Sequence, residues 1–315
     1  MNTRDKPLLT DTYETIDAFI PDNDSIYIFG TAGEERCAHY SAWECRLHGV
    51  DFVRIVRQEA SSFVANYKEI DYQILLRNTS QIEALLKVVG ERVIYLDITG
   101  LSHNIWAPLL RNALALRKQV LVVYVEPEIY SFSAAPKEGE IFDLSERILG
   151  ISPLPGFISF REPLEEEKVC FVPLLGFEGT RLAYLIEQVQ PPGNKILPII
   201  GVPGFRPEYP FYAYHGNQLP LLRTHAYRNV RYAIANCPFS LFYALEDIVK
   251  DYPDDMLKIA PIGTKPHALG AVLFAIANNR SVELIYDHPI RKPSRTKGSS
   301  KLLVYHASTF VSPSI

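Results

Sequence analysis

Short apolar runs alternate with amphipathic stretches along most of the chain, and this alternation restricts the fold more than any other feature of the sequence. In the first half the runs are SIYIFG (25–30), DFVRIVR (51–57), RVIYLDIT (92–99) and QVLVVYVEP (119–127). Between them lie EERCAHYSAWECRLHG (34–49), TSQIEALLKVVG (79–90) and NIWAPLLRNALALRK (104–118). The runs are rich in β-branched and aromatic residues, and three of the four stop at Gly, Thr or Pro, as strands do. The stretches between them read as helices. Gly49 and Gly90 are placed to end the first two. Thr79 or Ser80 is placed to cap the second, and Pro108 is tolerable in the first turn of the third. VIYL and VLVVYV are apolar throughout instead of alternating, the pattern of strands buried on both faces. Strand–helix alternation of this kind implies βαβ units and a mostly parallel sheet.

The second half repeats the pattern. VCFVPLLGF (169–177), KILPIIGVPGF (195–205), MLKIAPIG (256–263) and SVELIYDHP (281–289) read as strands. EGTRLAYLIEQV (178–189), PFSLFYALEDIVKDY (238–252) and PHALGAVLFAIANN (266–279) read as helices, and KLLVYHAST (301–309) as an edge strand. Residues 131–165 differ: SFSAAPKEGE and SPLPGFISFREPLEEE are rich in Pro, Gly and charge. The expected organisation is a Rossmann-like lobe over 1–130, a linker or insertion over 131–165, and a second α/β lobe over 166–315. Right-handed crossovers then place helices on both faces of mostly parallel sheets.

Composition excludes several functions. At 315 residues and 47% hydrophobic, the chain has enough apolar material for a sizeable core. A net charge of −4 provides no basic footprint for general nucleic-acid binding. The four cysteines (Cys37, Cys45, Cys170, Cys237) form no zinc-ligand spacing and no disulfide framework. The N-terminus lacks a signal-peptide core, and no apolar run reaches the roughly 18 residues that span a bilayer. A cytoplasmic protein with no membrane association is the expectation.

Ligands of open parallel sheets bind beyond the carboxyl ends of the strands, so the residues at those ends are the candidate site. The first such end offers Gly30, Thr31, Glu35 and Arg36. The RVIYL run leads into Asp97, Thr99, Gly100, Ser102 and Asn104, read as one lip of a polar cleft. Glu178 and Arg181 follow VPLL, and Arg206 follows LPII. Gly263, Thr264, Lys265 and His267 follow LKIAP, and Asp287 with His288 follows VELIY. Glycine lets a backbone approach a ligand closely, and free N–H groups at a helix start favour anions. Asp97, Glu178, His267 and Asp287 are the candidate acid–base residues. IGTKPH resembles a phosphate cradle but lacks the P-loop order, and there is no G-x-G-x-x-G, G-x-S-x-G or H-E-x-x-H. GVPGFRPEYPFYAYHGN (201–217) reads as an aromatic loop, a lid or an interface. Glu166 and Lys168 form a nuclease-like Glu-x-Lys step inside a charge run.

VIYLDITGLSHNIWAPLL followed by VLVVYVEPEIY, with IYIFGTAGEER upstream, resembles the core of the CRISPR-associated Rossmann-fold (CARF) ligand-sensor domains over residues 25–130. The resemblance implies a cyclic or linear oligonucleotide ligand, bound across a dimer by loops matching Gly30, Thr31, Asp97, Thr99, Gly100 and Ser102. Where that family commonly continues Gly-Gly-Thr-Lys, this chain has Gly100-Leu101-Ser102-His103. The Arg and His spacing of the ribonuclease domain often fused to such sensors is not found. Three functions fit the residues: binding of a nucleotide-like or phosphorylated ligand as a sensor or component of antiviral defence, hydrolysis of a nucleotide or nucleoside, and a scaffold role in an oligomer. A homodimer or a subunit of a protein complex is the expected assembly.

Overall fold

The computed structural model describes residues 9–42, 49–137, 139–159, 169–278 and 282–311. The chain forms two compact units, Met1–Tyr130 with Thr296–Ile315, and Ser131–Arg295. Both mix helices with sheets that contain parallel strand pairs.

The first unit opens with β1 (Thr10–Tyr13), β2 (Ile26–Gly30) and a 3-10 helix over Glu35–Ala42. The helix expected over 34–49 is thus a 3-10 turn for its first part, and residues 43–48 lie outside the described residues. Next come β3 (Asp51–Gln58), β4 (Ser62–Tyr67), β5 (Ile70–Leu75), α1 (Thr79–Val88), β6 (Ile94–Asp97), α2 (His103–Ala115), β7 (Val120–Val125) and β8 (Ile129–Tyr130). The strands β3, β2, β6 and β7 lie side by side, all parallel, with β3, the second of these four in the chain, outside β2, the first. β2, β6 and β7 are buried at every residue, as their unbroken apolar runs require. Their alternate residues meet in one cluster that includes Tyr27, Phe29, Tyr95, Leu121, Val123 and Val125. The N-cap position of α1 is Asn78, one residue before the expected cap and without a side-chain capping bond, and the helix buries Ile82, Leu85 and Leu86. α2 is buried on nearly all sides, which explains its lack of a clean amphipathic stripe. It starts at His103, so Pro108 lies in its interior and not in the first turn.

In the second unit, β9 (Phe132–Lys137), β10 (Glu140–Phe142), β11 (Ser145–Ile148) and β12 (Ser152–Pro153) occupy the segment expected to be a linker. They belong to the unit because β11 and β12 pair antiparallel with strands far along the chain. The Glu166–Lys168 step lies outside the described residues. The remaining elements are β13 (Val169–Leu174), α3 (Gly179–Val189), β14 (Ile199–Gly201), α4 (Tyr209–Arg223), β15 (Arg231–Ala233), α5 (Pro238–Asp251), β16 (Met256–Pro261), α6 (Lys265–Ala277), β17 (Val282–Tyr286) and β18 (Pro289–Arg291). The sheet runs β12-β17-β16-β13-β14-β15, and the five strands from β13 to β17 are parallel. Numbered along the chain, their spatial order is 3-2-1-4-5, and the direction of winding reverses between β13 and β16. Leu182 and Leu185 of α3 and Ala213 and Leu221 of α4 pack on Phe171, Ile200, Ala260 and Ile285. α5 and α6 pack on each other so closely that a methyl group on Gly270 would fall 2.3 Å from the Pro238 carbonyl oxygen. The segment 201–217 is not one loop. α4 starts at Tyr209, with Pro210 in its first turn, where the missing N–H has no intrahelical partner to lose.

The last segment returns to the first unit as β19 (Thr296–Lys297), β20 (Leu302–Tyr305) and α7 (Ala307–Val311). β20 runs antiparallel between β7 and β1, and the β4–β5 hairpin extends the other edge, giving eight strands in the order β1-β20-β7-β6-β2-β3-β4-β5. Residues 296–315 therefore leave the second lobe expected over 166–315. Leu302 and Val304 join the cluster of the first sheet, and that burial holds them there.

Candidate functional site

At the carboxyl ends of β2 and β6 the backbones of two loops meet. A methyl group on Gly100 would fall 1.7 Å from the Gly30 carbonyl oxygen, and one on Gly30 would fall 2.6 Å from the Leu101 side chain. The Gln58 amide donates to the Gly100 carbonyl at 2.9 Å, and its oxygen accepts from the Ser102 N–H at 2.9 Å. Both glycines are thus required by the other loop. Gly100→Ala is expected to cost on the order of 1–3 kcal/mol, since a close-packed joint must open. Urea unfolding measures it, and a loss under about 0.5 kcal/mol, the range of a neutral surface change, would show the joint to be loose.

The residues expected to form a polar lip are built into this joint. Asp97 is 0% exposed and its Oδ1 accepts from the Thr99 N–H at 2.8 Å. Beside it, burial and then the Asp97 charge hold the Tyr27 hydroxyl well above its ordinary pKa. The Thr99 hydroxyl accepts from the Val125 N–H at 3.0 Å, and the Asn104 amide donates to the Glu59 and Ala60 carbonyls. Arg36 is buried and donates to the Val125 carbonyl, the Tyr124 hydroxyl and Glu34. Glu34 also accepts from the Thr296 hydroxyl and Glu35 from the Gly298 N–H, which fastens the returning segment. Thr31 and Glu35 are exposed, and Ser102 is half-buried. The expected cleft is therefore a closed structural joint, because the loops that follow the two strands cross instead of parting.

The second unit brings Glu178, Arg181 and Asp287 together. Arg181, in the first turn of α3, donates from Nε and Nη2 to the two oxygens of Asp287 at 2.7 and 2.6 Å, and from Nη1 to the Ile262 carbonyl at 3.1 Å. Asp287 is 0% exposed at the end of β17. Burial works against the Arg181 charge, but the Asp287 hydrogen bonds and charge outweigh it and the guanidinium pKa rises. Glu178 precedes α3 and accepts from the Leu144 N–H, the Ser145 N–H and the Ser145 hydroxyl at 2.9, 2.7 and 2.8 Å. It ties the β10–β11 turn to the start of the helix.

The start of α6 is closed as well. A methyl group on Gly263 would fall 2.7 Å from the Leu175 carbonyl oxygen. Thr264 caps the helix, accepting from the His267 N–H at 3.3 Å and donating to the Ala235 carbonyl at 2.8 Å. Lys265 is buried and does not face solvent as a cradle would require. His267 is 0% exposed, with Nε2 at 3.1 Å from the Ile234 carbonyl. A carbonyl only accepts, so the neutral ring carries its proton on Nε2. Burial lowers the ring's pKa to about 4. Arg206 stands on the exposed loop before α4, paired with Glu208 at 2.8 Å.

One open feature lies among these groups. A cavity of about 460 Å³ sits at the first turn of α3. Glu178, Gly179, Thr180 and Arg181 form one side, and Lys137, Phe142, Ser145 and Arg147 from the 131–148 segment contribute to the rest, together with Phe177. Of the expected site residues it collects Glu178 and Arg181. Asp287 reaches it only through Arg181. Lys137, Ser145 and Arg147 were hidden from sequence reasoning in a stretch that reads as a linker. The first amides of a helix have no intrahelical partner, and Gly179 and Thr180 supply them here. The cavity can therefore offer N–H donors, a hydroxyl, cationic side chains and an aromatic ring to one ligand, beside the carboxylates of Glu140, Asp143 and Glu146. The four candidate acid–base residues are all engaged: Asp97, His267 and Asp287 are fully buried, and both Glu178 oxygens accept hydrogen bonds. Among the described residues no cluster of His, Cys, Asp and Glu side chains is placed to hold a metal ion, and no helix is long and apolar enough to cross a membrane. In comparisons with models of protein families, with curated proteins and with solved structures, nothing matches this chain.

Proposed function

We propose that this protein binds a nucleotide-like, phosphorylated ligand in the cavity at the start of α3. The observation that carries this reading is the position of the cavity. It lies at the helix that follows the first strand of a parallel sheet ordered 3-2-1-4-5. Sheets of that order, the Rossmann-like arrangement, bind ligands outside the carboxyl ends of their strands near the reversal point. Anions favour the N-terminus of a helix there, and it is these amides that favour a phosphate, since Lys137 and Arg147 line the cavity together with Glu140, Asp143, Glu146 and Glu178. The volume is within the range of small-ligand pockets. The buried acid–base candidates favour binding over hydrolysis. A role as a signal sensor in a cytoplasmic antiviral defence system rests on the resemblance of residues 25–130 to ligand-sensor domains alone, and those residues belong to the other unit.

ADP is a suitable probe. Native mass spectrometry followed by denaturing extraction shows what co-purifies, and calorimetric titration with ADP measures affinity. Arg147→Glu and Thr180→Tyr, both at exposed positions on the cavity, are expected to weaken ADP binding about tenfold or more, as loss of a charge-assisted contact or of the space itself would. Unchanged affinity in both variants, or no binding to the native protein at millimolar ADP, would remove the reading.

A further inference from the structure

The eight-stranded sheet of the first unit ends at β5, and among the described residues no strand pairs with the outer side of β5. An open strand edge is commonly guarded by a lysine, a proline or a bulge. β5 reads Ile-Asp-Tyr-Gln-Ile-Leu, without lysine or proline, and its register with β4 is unbroken. Lys68, in the turn before it, is drawn back to Asp51 at 3.1 Å. Ile70 is 56% exposed. The backbone shows which groups this edge offers. In an antiparallel strand the N–H and C=O of one residue point to the same side, and the side alternates from residue to residue. The Leu76 N–H donates to the Ser61 carbonyl, which turns the even-numbered residues toward β4 and leaves Asp71, Gln73 and Leu75 facing outward. Leu75 is already closed: its N–H donates to the Gln81 side chain at 2.8 Å, and its carbonyl accepts from the Asn78 N–H at 2.9 Å. Within β5 the edge thus offers two donors and two acceptors, on Asp71 and Gln73, both exposed residues.

We propose that the occupant of this edge is β5 of a second copy of the chain, paired antiparallel about a twofold axis at Tyr72. Two such strands match every open group when Asp71 faces Gln73 of the copy and Gln73 faces its Asp71, with four backbone hydrogen bonds. Residues that face each other share one side of the sheet, so the Gln73 amide meets the copy's Asp71 carboxylate, twice. Asp71 Oδ1 accepts from the Asn66 amide at 2.7 Å, which leaves Oδ2 for this bond. On the other side the pairing is apolar: Tyr72 meets Tyr72 of the copy, and Ile70 meets Ile74. A register shifted by two residues in one direction sets the two Asp71 carboxylates against each other. Shifted the other way, it sets Asp71 against Leu75, whose groups are closed. The strand is complementary to itself in one register, and this match of charge and hydrogen bonding selects a second copy over a foreign strand. The contact is isologous and closes at two chains. It does not depend on the nucleotide reading, whose cavity is in the other unit.

Sedimentation equilibrium of the full chain over about 1–100 µM is expected to show monomer and dimer in equilibrium, as a contact of modest area gives. Gln73→Glu sets a second carboxylate against the copy's Asp71, and Gln73→Lys sets an ammonium there. Gln73 is exposed and its backbone groups face away from β4, so both variants are expected to fold. Each contact occurs twice, so the dissociation constant is expected to rise about tenfold in Gln73→Glu and to fall several-fold in Gln73→Lys. Tyr72→Cys is expected to crosslink to its copy on mild oxidation, beyond any crosslinking of the native protein, because facing residues of such a pair have Cα atoms about 4.5 Å apart. Asp71→Cys, two positions out of line with its own copy, is expected not to crosslink. A native protein that stays monomeric at about 100 µM overturns the proposal. So does a dimer whose constant fails to move in opposite directions in the two Gln73 variants, or one that Tyr72→Cys does not crosslink.

Discussion

Replacing Arg181 with methionine is expected to destabilise the second unit by about 3–5 kcal/mol. The guanidinium meets both oxygens of a carboxylate that water does not reach, and its third donor satisfies the Ile262 carbonyl. Methionine keeps much of the volume but leaves Asp287 as an uncompensated buried charge, the costly outcome. Removing both charges in Arg181→Met/Asp287→Leu is expected to restore most of the loss, since a well-packed apolar pair is often no worse than a buried ion pair. Chemical denaturation of the three proteins decides the matter. A single variant that loses less than about 1 kcal/mol would fit an exposed pair, not this one. The pair also fixes the first turn of α3 to the end of β17. A destabilised variant that folds should therefore bind ADP more weakly even though Asp287 does not line the cavity.

The parallel strands were legible because burial on both faces writes itself as unbroken apolar runs: β2, β6, β7 and β13 are buried at every residue. The β4–β5 hairpin was not. Its two-residue turn is Lys68–Glu69, both at positive φ, where an Asn-Gly pair would have been recognisable. Of the strands in 131–159, β11 and β12 were missed because they are short and pair with partners more than a hundred residues away, while β9 and β10 pair locally but lie in a stretch whose Pro, Gly and charge read as a linker. KLLVYHAST (301–309) was read as an edge strand, but β20 lies between β7 and β1 because β1 covers its outer side, and which sheet it joins depends on an interior that no local pattern describes. The candidate site shows the same limit. Glycines and polar residues at strand ends were visible in the sequence. Whether such an end is open depends on a second loop. Gly30 meets Gly100, and Gly263 meets Leu175, so both ends close. The end at α3 stays open toward a segment that brings Lys137 and Arg147, whose role no spacing announces.

His267 provides the second large effect, a pH dependence of stability that one side chain controls. Its ring is fully buried at the start of α6, and burial lowers its pKa to about 4, with the Ile234 and Ala233 carbonyls opposing part of that shift. In the unfolded chain the same ring titrates near 6.5. Between these two values the unfolded state holds a proton that the folded state refuses. Stability is therefore full above about pH 6.5 and falls as the pH drops toward 4, by about 3 kcal/mol in all, at 1.36 kcal/mol for each unit between the two pKa values. Carboxylates titrate over the lower part of this range, so the native protein alone does not isolate the effect. His267→Gln does, because its amide can still donate to the Ile234 carbonyl but cannot take up a proton. The difference in unfolding free energy between the native protein and this variant is expected to shift by about 3 kcal/mol between pH 7 and pH 4, with the native protein losing more. Parallel stability curves, or a ring resonance that titrates near 6.5 in the folded protein, would mean that water reaches His267. The start of α6 would then be an open site, and the buried neutral histidine would have to be given up.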